Sequence, residues 1–168
     1  MNVLFQSDLF RVTNKKSNDG TKTLEVVERP PGVRLIIPTP SGILLNYEYR
    51  HALLGWDHRL PGGKVCDTWE EYENLSKNCD ANITMGLAKN AAIKEGLEEQ
   101  GLIIKKDDVE FFAIAGCGTT IKWDLYYFIV LKYVQSAQQL EDDEDIQQKI
   151  IPYDHIVPLC LSQNFSED

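Results

Sequence analysis

Lys94-Glu95-Gly96-Leu97-Glu98-Glu99-Gln100-Gly101-Leu102 is the stretch on which the reading of this chain turns. On a helix, Glu95, Glu98 and Glu99 fall at i, i+3 and i+4, so three carboxylates share one face. Exposed like charges at that spacing repel by roughly 0.2–0.5 kcal/mol per pair. At about 100° per residue, Ala88, Ala91 and Ala92 lie on the same side, while Ile93 and Leu97 lie opposite. The helix is thus apolar or small all round, and its acids are not a solvated stripe. Clustered, partly buried carboxylates call for a cation, and hard oxygen donors suit Mg²⁺ or Mn²⁺. Gly101 stands where left-handed geometry closes a helix, and Asn82 or Thr84 is placed to open it.

Upstream of this helix, Arg59-Leu60-Pro61-Gly62-Gly63-Lys64 reads as a loop. Thr68–Lys77 follows with helical composition, Trp69, Tyr72 and Leu75 at three-residue spacing, and Asp67 or Thr68 as its cap. The first third of the chain reads as strands. Leu9–Thr13 and Thr21–Glu28 flank the turn Ser17-Asn18-Asp19-Gly20, and Val33–Pro38 and Ile43–Tyr49 flank Pro40-Ser41-Gly42. Arg29-Pro30-Pro31-Gly32 separates the two hairpins. Residues 1–31 therefore read as a small β appendage, and 32–168 as the main domain. Downstream, Val109–Ala115 and Trp123–Val134 are aromatic and β-branched strands. The acidic run Glu141–Asp145 then precedes a last strand or helix near Ile150–Leu161. Strands around a central helix predict a mixed α/β sandwich.

A chain of 168 residues is long enough to bury one core without disulfides or a structural metal. Its formal net charge of −9 argues against nucleic-acid partners, which require clustered Lys and Arg. A small phosphorylated ligand is compatible with that charge if metal ions and a few local cations hold it. No stretch approaches the ~18 apolar residues of a membrane helix, and MNVLFQSDLF lacks the basic start and apolar core of a signal peptide. Cys66, Cys79, Cys117 and Cys160 form no CxxC pair, so they read as reduced, partly buried thiols of a cytoplasmic protein.

The Glu95–Leu102 segment resembles the end of the box of the Nudix hydrolase superfamily, Arg-Glu-apolar-x-Glu-Glu-x-Gly-apolar. Glu95, Glu98, Glu99, Gly101 and Leu102 match it. Glu48-Tyr49-Arg50 and Leu60-Pro61-Gly62-Gly63-Lys64 resemble the strand end and the opening loop of that family, in the same order. The pattern is closest to the branch that hydrolyses ADP-ribose and nucleoside-diphosphate sugars. That branch carries an N-terminal β appendage used in dimerisation and an acidic loop late in the chain. Lys94 departs from the box arginine, Gly96 from a large apolar residue, and Arg59 from the glutamate usual before Leu-Pro. Gly86 falls where the first box glutamate belongs, behind an insertion at about 65–83, and Glu70, Glu71 or Glu73 is a candidate replacement.

The resemblance implies a Nudix-type α/β/α sandwich with a mixed sheet and a magnesium-dependent (or manganese-dependent) hydrolase. Its metal ligands would be Glu95, Glu98, Glu99 and the Gly62 carbonyl, and its general base Glu144 or Glu141. Arg50, Arg59 and Lys64 would neutralise phosphate oxygens, with His51 and His58 nearby, and Trp56 or Trp123 is available to stack on a base. The expected substrate is a nucleotide sugar or dinucleotide, the expected assembly a homodimer. Two alternatives stand beside it: a nucleoside triphosphate pyrophosphohydrolase, and a nucleotide-binding protein of the same fold without turnover.

Overall fold

The computed structural model describes residues 2–78, 81–141, 144–162 and 164–166. In chain order the strands are β1 (Asn2–Gln6), β2 (Arg11–Lys16), β3 (Thr23–Glu28), β4 (Gly32–Thr39), β5 (Gly42–Arg50) and β6 (Gly55–Arg59). Two helices follow, α1 (Trp69–Asn78) and α2 (Ala81–Gln100). Then come β7 (Leu102–Ile103), β8 (Val109–Gly116), β9 (Ile121–Lys122), β10 (Asp124–Val130), β11 (Val134–Gln135), β12 (Ile146–Ile151) and α3 (Tyr153–Cys160). Both hairpins expected from the sequence form. The anticipated final strand or helix is both, β12 and then α3. The strands β1 and β6 had no counterpart in the sequence reading.

The main sheet runs β12-β5-β4-β10-β8, with β6 also paired to β5. β4 lies parallel to β10, Leu35 opposite Phe128, and the other pairings are antiparallel. The core lies between this sheet and α2. Val33, Leu35 and Ile37 of β4 meet Ala88 and Ala92 of α2, with Phe128 and Val130 of β10 alongside. Small residues on the inner side of α2 let it lie close to the sheet, and Gly96 continues that stripe. A Cβ at Gly96 would stand 2.7 Å from the Ile104 Cδ1 and 3.2 Å from the Leu35 Cδ1. The residue that departs from the box pattern is thus the one that fits this contact, and close packing repays the roughly 1 kcal/mol that glycine costs in a helix. α2 begins at Ala81, so Asn82 and Thr84 lie inside it rather than capping it.

The N-terminal strands take in one strand from further along the chain. β1, β2 and β3 make a sheet whose fourth strand is β9, parallel to β3 with Val27 opposite Ile121. α1 is capped by a reciprocal pair: the Thr68 hydroxyl accepts from the Glu71 amide at 3.2 Å, and the Glu71 carboxylate accepts from the Thr68 amide at 3.3 Å. α1 meets the N-terminal segment through Trp69. Its indole donates to the Ser7 carbonyl at 2.8 Å, and the guanidinium of buried Arg11 lies 4.3 Å above the ring. Arg11 also pairs with Glu73 at 2.7 Å and donates to the Gln6 side chain at 2.8 Å. The inserted helix is therefore pinned to the appendage.

Beyond Arg59 the chain runs on beside β4. The Leu35 amide donates to the Pro61 carbonyl at 2.8 Å and the Val33 amide to the Gly63 carbonyl at 2.9 Å. The loop is thus wedged into the angle where β4 and β5 diverge. The C-terminal residues cover the neighbouring strand: the Asn164 carbonyl accepts from the His58 amide at 2.9 Å, and the Ser166 hydroxyl bonds the buried Asp57. Of the cysteines, Cys66 is buried, Cys117 half-buried and Cys160 exposed, which corrects the expectation of burial for Cys160; Cys79 lies outside the described residues. Burial, with Glu71 and Asp67 nearby, pushes the Cys66 thiol up to about 11. Among the described residues, no helix is long and apolar enough to cross a membrane.

Because Trp69 is buried between the insertion and the appendage, Trp69→Ala should cost about 3 kcal/mol, the usual scale for emptying a buried aromatic site. Urea denaturation reads it. Wild-type stability would mean that α1 is not held by the N-terminal sheet.

Candidate active site

The inner stripe of α2 runs Ala88, Ala92, Gly96 and then Glu99, so the face that packs the core ends in a carboxylate. Glu99 is 6% exposed. Its Oε2 accepts from the Gly62 amide at 2.6 Å, and its carboxylate is also hydrogen-bonded by the Asn46 side chain. Burial, followed by the neighbouring Glu95, raises its pKa to about 8 against these two bonds. Glu95 lies against the loop: a Cβ at Gly63 would overlap its carboxylate, so glycine is needed there for the approach. Burial raises Glu95 to about 7; Lys94 opposes the shift, while Glu98, Glu144 and Glu141 add to it. Glu98 turns to Lys94, whose Nζ stands 2.8 Å from Oε2.

Gly62 adopts φ +149°, where a side chain would run into the Val33 carbonyl. Its amide serves Glu99, and the carbonyls on either side of it, those of Pro61 and Gly63, serve β4. Three elements thus converge on one cleft of about 330 Å³: the Gly62-Gly63 loop, the acidic face of α2, and the second half of β5.

The cleft's charges are mixed. Six arginines and lysines line it, namely Arg29, Arg34, Arg50, Arg59, Lys64 and Lys94. Seven acids line it too: the three of α2, together with Glu48, Asp67, Glu141 and Glu144. Arg34 and Arg59 are buried cations, and Arg34 donates to the Val33 carbonyl at 3.0 Å. Arg50 pairs with Glu48 at 2.9 Å. The Arg29 guanidinium lies 4.1 Å over the Trp123 ring, which also borders the cleft. The acidic loop closes on itself, the Glu144 carboxylate accepting from the Glu141 amide at 3.0 Å.

Side-chain amides hold the end of α2. The last carbonyls of a helix lack partners within it, and here glutamines supply them. The Glu99 carbonyl accepts from the Gln138 Nε2 at 2.6 Å, and the Gln100 carbonyl from Gln148 at 2.8 Å and Gln135 at 3.1 Å. The Gln139 amide donates to the Glu98 carbonyl at 2.9 Å. The segment leading into the acidic loop is thereby tied to the helix that carries the acids.

Of the residues singled out in the sequence, Glu95, Glu98, Glu99, Gly62, Arg50, Arg59, Lys64, Glu141 and Glu144 line this one cleft. Trp56 does not. It stacks on Tyr47 at 5.0 Å and meets Tyr49 edge-on at 6.1 Å, outside the cleft lining. Glu70, Glu71 and Glu73 also fall outside, with Glu71 and Glu73 engaged in the α1 cap and the Arg11 pair; the acid this segment brings to the cleft is Asp67. Gly86 sits in open space, away from the cleft. The sequence reading gave no site role to Arg29, Arg34 and Asn46, nor to Glu48, which it named only as part of the strand end before Arg50. Asn46, Glu48 and Arg50 alternate along β5 and so share its face, and a charge at Arg34 amid apolar β4 is itself a signal.

The donor set suits a hard divalent cation: carboxylate oxygens clustered where burial opposes their ionisation, which a cation would relieve. It is not preassembled. Among the described residues no three His, Cys, Asp or Glu side chains stand together as a ready metal-holding group, and Glu98 is turned towards Lys94.

No family model matches this chain, and no curated protein does. Among 162 solved chains of similar structure is the crystal structure of an ADP compounds hydrolase. It superposes with a TM-score of 0.68 at 16% identity, covering 99% of this chain and 83% of that one. At that identity the likeness is one of fold, and it agrees with the mixed α/β arrangement expected from the sequence.

The raised pKa values of Glu95 and Glu99 make the stability of the metal-free protein depend on pH. Between about pH 4.5 and 8 the folded state binds more protons at these two groups than the unfolded state. Their contribution to stability is therefore fully present below the unfolded pKa and is lost as pH rises through about 7 and 8. In EDTA, Glu99→Gln should melt above wild type near pH 8.5 and lose that advantage near pH 5, whereas Mg²⁺ should stabilise wild type more at the higher pH. A variant melting below wild type at both pH values contradicts this.

Proposed function

We propose that this protein is a Nudix-type pyrophosphatase that uses Mg²⁺ or Mn²⁺ to hydrolyse the phosphoanhydride bond of a nucleoside-diphosphate-linked substrate. ADP-ribose or a nucleotide sugar is the substrate class, and the products are a nucleoside monophosphate and a sugar phosphate. The observation that carries this reading is the composition of the cleft: acids clustered on α2 against Gly62-Gly63, ringed by arginines and lysines. Acids alone would suit a cation, and cations alone an anion. Both around one space suit a phosphate chain that brings its metal with it. The fold shared with an ADP compounds hydrolase is consistent with this substrate class.

Glu95, Glu98, Glu99 and the Gly62 carbonyl would hold the metal, which supplies charge neutralisation and a water of lowered pKa. Glu98 must leave Lys94 to take part. The buried Arg34 and Arg59, with Arg50 and Lys64, orient the diphosphate and offset the charge that develops on it. Water attacks phosphorus, the bridging P–O bond breaks, and the leaving phosphate keeps its electron pair. The proton passes to Glu144, with Glu141 as second candidate, since both face this cleft.

One observation favours a second reading, nucleotide binding without turnover: Glu98 is engaged by Lys94, and no ligand group is preassembled. A phosphorus NMR screen over ADP-ribose, nucleotide sugars and nucleoside triphosphates with Mg²⁺ separates the readings, run beside a thermal-shift screen. Turnover is expected with the diphosphate-linked compounds. Thermal shifts without products would favour the binder, and triphosphate cleavage alone would reassign the substrate. Glu99→Gln should abolish turnover while keeping the fold, and excess EDTA should do the same to wild type. Substituting the general base should lower kcat by ~10²–10⁴-fold; Glu144→Gln and Glu141→Gln both within about threefold of wild type would take the acidic loop out of the mechanism.

The homodimer is part of this proposal. Val3, Leu4, Phe5, Leu9 and Phe10 are exposed on the N-terminal sheet and its turn, an apolar surface that a second copy would cover. Light scattering of Phe5→Glu should give half the wild-type mass, and an unchanged dimer would place the contact elsewhere.

A further inference from the structure

Behind Glu99 lies a buried polar chain that the catalytic reading does not use. Asn46 on β5 is 2% exposed and Gln100 at the end of α2 is 0% exposed. The Gln100 Nε2 donates to the Asn46 Oδ1, and the Asn46 side chain hydrogen-bonds the Glu99 carboxylate. The polarity of this chain is dictated from one end. Ionised Glu99, the form that holds a cation, only accepts, so Asn46 turns its Nδ2 to it and its Oδ1 back into the protein. Gln100 must then present its amide nitrogen, which leaves its own Oε1 facing inward, and that oxygen is buried with no hydrogen-bond partner.

An unpaired buried acceptor lowers stability, so packing alone does not account for a glutamine here. The Gln100 backbone is also immobilised, its carbonyl held by Gln148 and Gln135. The side chain thus issues from a fixed point. Glu99 is gripped on two sides, by the Gly62 amide at 2.6 Å and by Asn46.

We propose that Gln100 and Asn46 form a relay that aims the Glu99 carboxylate into the cleft, Gln100 acting through Asn46. Both are positioning residues, and the relay rests on the reading of α2 as the cation-holding element. Gln100 orients the Asn46 amide, and the oriented amide leaves Glu99 one rotamer in which its free lone pairs face the space between α2 and the Gly62-Gly63 loop. Outer partners of this kind typically tune metal affinity by 10–100-fold.

The experiment titrates Mn²⁺ alone into the metal-free full chain, followed by electron paramagnetic resonance, for wild type, Gln100→Met, Asn46→Ala and the double variant. Gln100→Met should weaken Mn²⁺ binding by about tenfold. Its metal-free melting temperature should stay near that of wild type, because the variant trades an unpaired Gln100 oxygen for an unpaired Asn46 oxygen. In the Asn46→Ala background, Gln100→Met should add no further loss, as required if it acts through Asn46. Unchanged affinity in Gln100→Met, or losses that multiply in the double variant, overturns the relay. If Asn46→Ala does not fold, Gln100→Met decides alone: affinity lost at constant melting temperature supports the relay, and affinity lost only in step with melting temperature refutes it. A wild-type chain that binds no Mn²⁺ removes the metal reading, and the relay with it.

Discussion

The hydrogen bond from the Gly62 amide to the Glu99 carboxylate joins the two parts on which everything else depends. Gly62 belongs to a loop wedged against β4, and Glu99 to the helix that closes the core over the same strand. A buried carboxylate accepting a backbone N–H is a costly way to join a loop to a helix. Desolvation opposes its ionisation more strongly than the two hydrogen bonds favour it, as its raised pKa indicates. An apolar contact would stabilise the junction better. A cation in the cleft, as proposed, would relieve that cost, and the glycines at 62 and 63 are the local geometry that lets the acids approach.

The geometry of the cleft is built by several parts of the fold. Small residues on α2 bring the helix against β4, so that the stripe ending in Glu99 reaches the cleft at the correct depth. Glutamines from β11, the following segment and β12 hold the carbonyls at the end of the helix, and the same segment leads into the loop of Glu141 and Glu144. The segment that leads into the loop acids is therefore anchored on the end of the helix that carries the others. On the opposite side, the insertion leaves the glycine loop, contributes Asp67 to the cleft, and then anchors on the N-terminal sheet through Trp69 and Arg11.

Much of this was legible in the sequence because it depended on local spacing. The i, i+3, i+4 carboxylates, the Gly-Gly loop, the Thr68 cap and the two hairpins each follow from residue type at fixed offsets. What was not legible depended on partners distant in the chain. Trp69, Tyr72 and Leu75 announce that α1 has an apolar face, but nothing local says that Ser7 and Arg11 will meet it. The strand β6, Gly-Trp-Asp-His-Arg, lacks apolar alternation; it is a strand because β5 and the C-terminal residues border it, and its position puts Trp56 against Tyr47 rather than in the cleft. Arg29 and Arg34 carry no motif. Gly96 departs from the expected pattern because a side chain there would crowd Ile104 and Leu35.

The proposed function requires that α2 and the Gly62-Gly63 loop hold a divalent cation. Anomalous diffraction from crystals grown with Mn²⁺ and a non-hydrolysable diphosphate analogue asks this directly. The expected result is a peak within about 2.0–2.4 Å of carboxylate oxygens of Glu95, Glu98 or Glu99, with Glu98 released from Lys94 and phosphate oxygens of the analogue beside it. A fully bound analogue with no anomalous peak at these residues, or a peak confined to the Glu141–Asp145 loop, would contradict it.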